Sequence, residues 1–161
     1  MAVLRTLVVG VGNTLLSDEG VGVVISKKLM DEKLPAGVEI YDAGCALSDV
    51  LIRFDKVEQV IIIDAVQGCG KPGDVYCFDL NELKGQGSRS CCAASLHEIG
   101  VLESLEMAEL AGWHAANITI IGIEPEKLEV GDELSDTIKS KLPAIMSFVR
   151  NEIKRSVDTG E

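Results

Sequence analysis

No apolar run in this sequence reaches the ~18 residues that a membrane-spanning helix needs. The opening residues, Met1-Ala2-Val3-Leu4-Arg5, run straight into a strand pattern. They lack the basic stretch, long apolar core and small-residue cleavage site of a secretory signal, which points to the cytoplasm. Positive charge is scarce: 15 Lys and Arg stand against 26 Asp and Glu, a net charge of −11, and the pI is near 4.6. A phosphate-backbone or anionic-membrane partner calls for the opposite sign, so neither nucleic acid nor membrane is expected. Aromatics are only 4% against 47% hydrophobic residues overall, so the core rests on Val, Ile and Leu. That suits a parallel sheet buried on both faces. The five cysteines are odd in number and form no Cys-x-x-Cys pair. A disulfide framework is therefore not expected, and reduced thiols fit the cytoplasm. A Gly-x-Ser-x-Gly nucleophile elbow is also missing.

What stands out instead is the stretch Gly10-Val11-Gly12-Asn13-Thr14-Leu15-Leu16-Ser17-Asp18-Glu19-Gly20-Val21-Gly22. It follows the apolar run Leu7-Val8-Val9 and precedes a helical pattern. It is the first strand-to-helix crossing of an α/β domain, at the sheet edge where ligands bind. A glycine turn opening a helix invites an anion, yet two acids, Asp18 and Glu19, occupy that place.

Taken in order, residues 4–10 form a first strand. A helix starts near Ser17 or Asp18, both good N-caps, with the stripe Val21, Val24, Ile25 and Leu29. Val38 to Tyr41 is a second strand ending at Asp42-Ala43-Gly44, and residues 47–54 form a short helix with Ser48 as its cap. Val60 to Ile63, the most apolar strand and so the central one, ends at Asp64. Residues 74–79 alternate as a fourth strand. Its connection is too short for a crossover helix, so it lies antiparallel to the others. Residues 84–96 form a long irregular stretch that delivers His97; loops of this length are often functional. A helix from Glu98 to Ala111, closed by Gly112, leads to a fifth strand, Ile118 to Ile121. A terminal amphipathic helix runs from Leu134 to Ile153, kinked or restarted at Pro143. Residues 1–155 read as a single domain and 156–161 as a frayed tail. The fold expected is a three-layer α/β/α sandwich with a five-stranded, mostly parallel sheet and one antiparallel strand.

Two constellations compete for the first crossing. Gly10-x-Gly12, with Asp42 ending strand two, outlines a dinucleotide-binding oxidoreductase site. The third glycine is missing, however, with Leu15 in its place, and two acids would repel a pyrophosphate. The second is a divalent-metal site from Glu19, Asp64 and His97, all at or near the carboxyl edge of the sheet. Two carboxylates and an imidazole suit a borderline divalent ion with open positions. Each residue also has a plainer reading: Glu19 as a solvated first-turn acid, Asp64 as a turn cap, His97 as a core or capping histidine. Cys91, Cys92 and Ser95 lie near His97 in sequence only, and His114 reads as a surface residue.

The same residues resemble a known family. Val9 to Gly22 resembles the opening motif of the nickel–iron hydrogenase maturation proteases. Ile63-Asp64-Ala65-Val66 with Pro72-Gly73, Ser95-Leu96-His97-Glu98-Ile99-Gly100 and Ile121-Gly122-Ile123-Glu124-Pro125 resemble three further motifs in the same order. Leu96, where Pro or Thr is common, and the loop Ser90-Cys91-Cys92-Ala93 depart from the pattern. The resemblance implies an endopeptidase that removes the C-terminal extension of a hydrogenase large-subunit precursor after nickel insertion. By resemblance the substrate's nickel is recognised at Glu19, Asp64 and His97, which are also the catalytic candidates. No permanently bound cofactor is implied, although another divalent cation can occupy the site in crystals. The partner implied is the nickel-loaded precursor, and the implied fold is phosphorylase/hydrolase-like with strand order 2-1-3-5-4. Asp18 and Gly44 are candidate substrate contacts, and Gly10 and Gly12 are expected to let a substrate tail approach the backbone. A non-catalytic, nickel-dependent maturation chaperone is the other reading.

Overall fold

The computed structural model describes residues 5–54, 56–80 and 100–159. Strand β1 (Thr6–Val11) leads through a 3-10 turn (Ser17–Gly20) into helix α1 (Val21–Met30). Strand β2 (Val38–Gly44), helix α2 (Leu47–Ile52) and strands β3 (Gln59–Ala65) and β4 (Val75–Asp79) follow. Helix α3 (Val101–Leu110), strand β5 (Asn117–Ile123) and helix α4 (Asp136–Asp158) complete the described elements.

The strands form one sheet in the order β2-β1-β3-β5-β4. All neighbours pair in parallel except β4, which is antiparallel to β5. Only residues 66–74 separate β3 from β4, fewer than a parallel crossover takes. Strand β3 sits in the middle, as its apolar sequence predicts, and its alternation feeds two separate cores. Val60 and Ile62 pack in one layer with Leu51 of α2 and Leu105 of α3. Ile61 and Ile63 pack in the other with Ile25 of α1 and Ile138 and Val149 of α4. A strand covered on both faces needs apolar residues at odd and even positions alike. This is the three-layer α/β/α arrangement expected.

Several local expectations are corrected. Neither Ser17 nor Asp18 caps α1. The cap is Gly20, with no side-chain hydrogen bond, because the chain makes a 3-10 turn first. Ser48 does not cap α2, whose N-cap is Ala46. Helix α4 runs without interruption through Pro143, with Ile145, Met146, Val149 and Ile153 buried along it, and it continues to Asp158. Cys45 and Cys77 are not in disulfides, whereas Cys69 is disulfide-bonded, against the expectation of reduced thiols. The irregular stretch 84–96, Cys91, Cys92 and His97 lie outside the described residues.

Candidate active site

A cleft of about 440 Å³ opens at the carboxyl edge of the sheet. Its floor is the end of β1 and β3, with Val11, Gly12, Asp64 and Ala65. Its walls come from the 3-10 turn (Glu19), the end of β2 (Gly44, Cys45), helix α3 (Glu103, Met107) and the segment after β5 (Pro125, Leu128). None of the described lining residues is cationic.

Asp64 and Glu19 reach this cleft from adjacent parallel strands. β1 pairs with β3 through Gly10 and Ile63, so the residue after Ile63 and the turn after β1 open on one crevice. Asp64 is 4% exposed. Its Oδ1 accepts the Ala65 N–H at 2.8 Å. Burial pushes its carboxyl well above the usual carboxylate range; the Ala65 N–H opposes this, and the charge of Glu19 adds to the rise. A buried carboxyl whose pKa is raised beside a second carboxylate marks a site short of positive charge. A divalent ion docking there would displace the proton and satisfy both oxygens. Among the described residues, no set of three His, Cys, Asp or Glu is grouped to hold a metal ion. The third ligand expected, His97, lies outside them. His114 is exposed, as expected.

Gly10 and Gly12 of the first crossing both sit where the chain packs closely. A Cβ on Gly12, whose φ is +140°, would lie 1.9 Å from the Glu19 carbonyl oxygen. A Cβ on Gly10 would meet the Gly22 carbonyl and Ser26. Both are close approaches of the turn and of helix α1 to strand β1. Gly44 differs. Its φ is +52°, a Cβ there would meet no described atom within 4 Å, and it lines the cleft.

Asp18, a candidate substrate contact by sequence, is 0% exposed. Its Oδ2 accepts the Glu126 and Lys127 N–H groups, both at 2.9 Å, and the Ser135 hydroxyl at 2.7 Å. Its Oδ1 accepts the Ser135 N–H at 2.7 Å. Burial works to raise its pKa, but the bonds from Lys127, Ser135 and Glu126 outweigh this and hold the carboxyl below its usual range. A carboxylate so enclosed has no surface left for a substrate. A third buried acid, Glu124, was given no role by the sequence beyond its place in a motif: its Oε2 accepts the Gly68 N–H at 2.6 Å and the Tyr76 hydroxyl at 2.9 Å. The signal was an acid closing an apolar strand, a position that shows charge without showing its partners.

The sequence model of the family described as HycI, hydrogenase maturation protease, matches residues 23–152. That span includes Asp64 and His97 and begins after Glu19. The hydrogenase 2 maturation protease of Escherichia coli K12 is 30% identical over 155 residues, covering 95% of this chain and 93% of its own. The hydrogenase expression/formation protein HupD of Rhodobacter capsulatus is 32% identical over 150 residues, covering 91% of this chain and 70% of its own. The solved structure of the hydrogenase maturating endopeptidase HybD from Escherichia coli superposes with a TM-score of 0.77 at 30% identity, covering 94% of this chain and 93% of that one.

Proposed function

The chain belongs to the hydrogenase maturation protease family and is a peptidase, and from that premise we propose that it removes the C-terminal extension of a nickel–iron hydrogenase large-subunit precursor once nickel has been inserted. The observation that carries this reading is the pairing of Glu19 and Asp64 in a cleft whose described lining residues include no cation. The substrate's nickel docks between these carboxylates, with His97 as the third ligand. The metal is cargo of the substrate, so no resident cofactor is needed, and another divalent cation can take the same position. Among the described residues no helix is long and apolar enough to cross a membrane. The reaction is read as cytoplasmic.

Asp64 gives up its proton when the nickel arrives, because the ion supplies the charge that burial denies it. Glu19, partly exposed on its turn, meets the ion from the solvent side. The scissile peptide then lies along the cleft, with room beside Gly44 for its backbone. A water attacks the peptide carbonyl carbon and loses its proton to a carboxylate oxygen. The carbon–nitrogen bond breaks, and the departing amine takes a proton.

The test is to incubate the protein with a nickel-loaded and a nickel-free precursor and follow the tail by mass spectrometry. Loss of the tail from the loaded precursor alone is expected, and Glu19→Ala, Asp64→Ala and His97→Ala should each abolish it. Three variants that cleave like wild type would sink the site assignment. Nickel-dependent complex formation without cleavage would instead favour a chaperone-like binder.

A further inference from the structure

Asp18 and Glu19 are neighbours on one 3-10 turn, and they face opposite ways: Glu19 lines the cleft and Asp18 is wholly buried. We propose that Asp18 is a positioning residue, whose carboxylate clamps the Glu19 turn to the segment 126–135 and so sets the spacing between Glu19 and the cleft wall at Pro125 and Leu128. This rests on the function proposed above only for what Glu19 does.

The clamp is built from both sides. Backbone bonds lay the turn along the segment like a short strand pair: Ser17 N–H to the Gly131 carbonyl at 2.9 Å, Gly131 N–H to the Leu15 carbonyl at 3.0 Å, and Asp18 N–H to the Lys127 carbonyl at 3.0 Å. The Ser17 hydroxyl adds a bond to the Glu129 carbonyl at 2.8 Å. Ser17 sits at φ +52°, a left-handed conformation that costs a non-glycine residue energy and needs surrounding bonds to hold it. The Asp18 carboxylate closes the arrangement with its four donors. Two of these belong to Ser135, the N-cap of α4, whose Oγ also accepts the Ile138 N–H. The anion therefore lies at the positive end of a long helix. The turn carrying Glu19 is fastened to the longest helix among the described residues.

All four partners are donors, so the site demands an acceptor at both oxygens. Asparagine keeps the shape but turns an NH2 toward a donor, which breaks at least one bond and sets two donors face to face. Without the clamp the strained Ser17 turn relaxes, and Glu19 loses its fixed distance from Asp64. A residue that served the fold alone would lower the melting temperature and leave metal binding by the folded protein unchanged.

Asp18→Asn, Ser135→Ala and a destabilised control, Leu29→Ala in the α1–α4 core, separate the two cases. Each full chain is kept well below its melting temperature and titrated with Ni2+ alone. Asp18→Asn should weaken binding by about tenfold or more, the scale for losing an outer partner of a metal ligand. Ser135→Ala, the milder change, should weaken it less, and Leu29→Ala should leave it at the wild-type value. Amide hydrogen exchange gives a readout independent of metal and cleavage: 15–20 and 126–135 should both exchange faster in Asp18→Asn and not in Leu29→Ala. Wild-type exchange in both segments, or wild-type Ni2+ affinity in folded Asp18→Asn, would overturn the proposal. A wild-type chain that failed to cleave a loaded precursor would count against the proposed function, while the exchange result would still decide the clamp.

Discussion

Asp18 and Ser135 stand 117 residues apart in the chain and meet through two hydrogen bonds of 2.7 Å, one from the serine N–H and one from its hydroxyl. The serine is at once the cap of α4 and half of the Asp18 cage. Ser135→Ala removes the cap acceptor and one donor to a buried anion. It should cost about 1–3 kcal/mol, read as a lower midpoint in chemical denaturation, and Ser135→Thr should recover most of the loss.

Burying Asp64 carries an energetic cost to the fold. Its folded pKa is raised by burial, so the native state holds its proton more tightly than the unfolded chain does. Stability on this account is full below the unfolded carboxylate pKa and falls as pH rises from there through the folded value. Asp64→Asn removes the penalty and can still accept the Ala65 N–H. Thermal melts should show the variant more stable than wild type at pH 7, with the difference vanishing near pH 3, while precursor cleavage is lost. A variant less stable than wild type at pH 7 would contradict this.

Metal affinity should follow the same proton. An ion docking at Glu19 and Asp64 must displace it, so calorimetric titration with Ni2+ should give weaker binding at pH 5 than at pH 7 and proton release on binding. In Asp64→Ala the proton release attributed to that carboxyl should disappear. Equal affinity and no proton release in wild type would exclude Asp64 as the protonated ligand.

Gly12 and Gly44 both line the cleft, and alanine should affect them differently. At Gly12 the new methyl would overlap the Glu19 carbonyl, so Gly12→Ala should destabilise the chain by several kcal/mol, in the range of severe overpacking. Gly44→Ala meets open space and carries only the left-handed backbone cost of about 1–2 kcal/mol. It should fold, and it should raise the KM for precursor because the methyl projects into the cleft. Denaturation and steady-state cleavage of the two variants check the contrast.

Much of the architecture was legible because it depends on local pattern and chain length. The apolar runs of β1, β3 and β5, the stripe of α4 and the short link before β4 each limit the chain to few arrangements. The cleft was legible in part. Asp64 announces itself as an acid closing an apolar strand, and Glu19 as an acid in a glycine turn. The 3-10 turn was not legible, because it exists only where Ser17 and Asp18 find partners more than a hundred residues away. Local propensity would have made either one a helix cap.

Periodicity, loop length and residue type act over short distances, so they alone specify the layers, the antiparallel fourth strand and the acids at the sheet's carboxyl edge. Which acid is enclosed and which faces the cleft depends on contacts across the fold. Asp18 and Glu19 carry the same charge on the same turn, and nothing local distinguishes them. Four donors from a distant segment enclose the first, and an open cleft with no cation among its described lining residues receives the second.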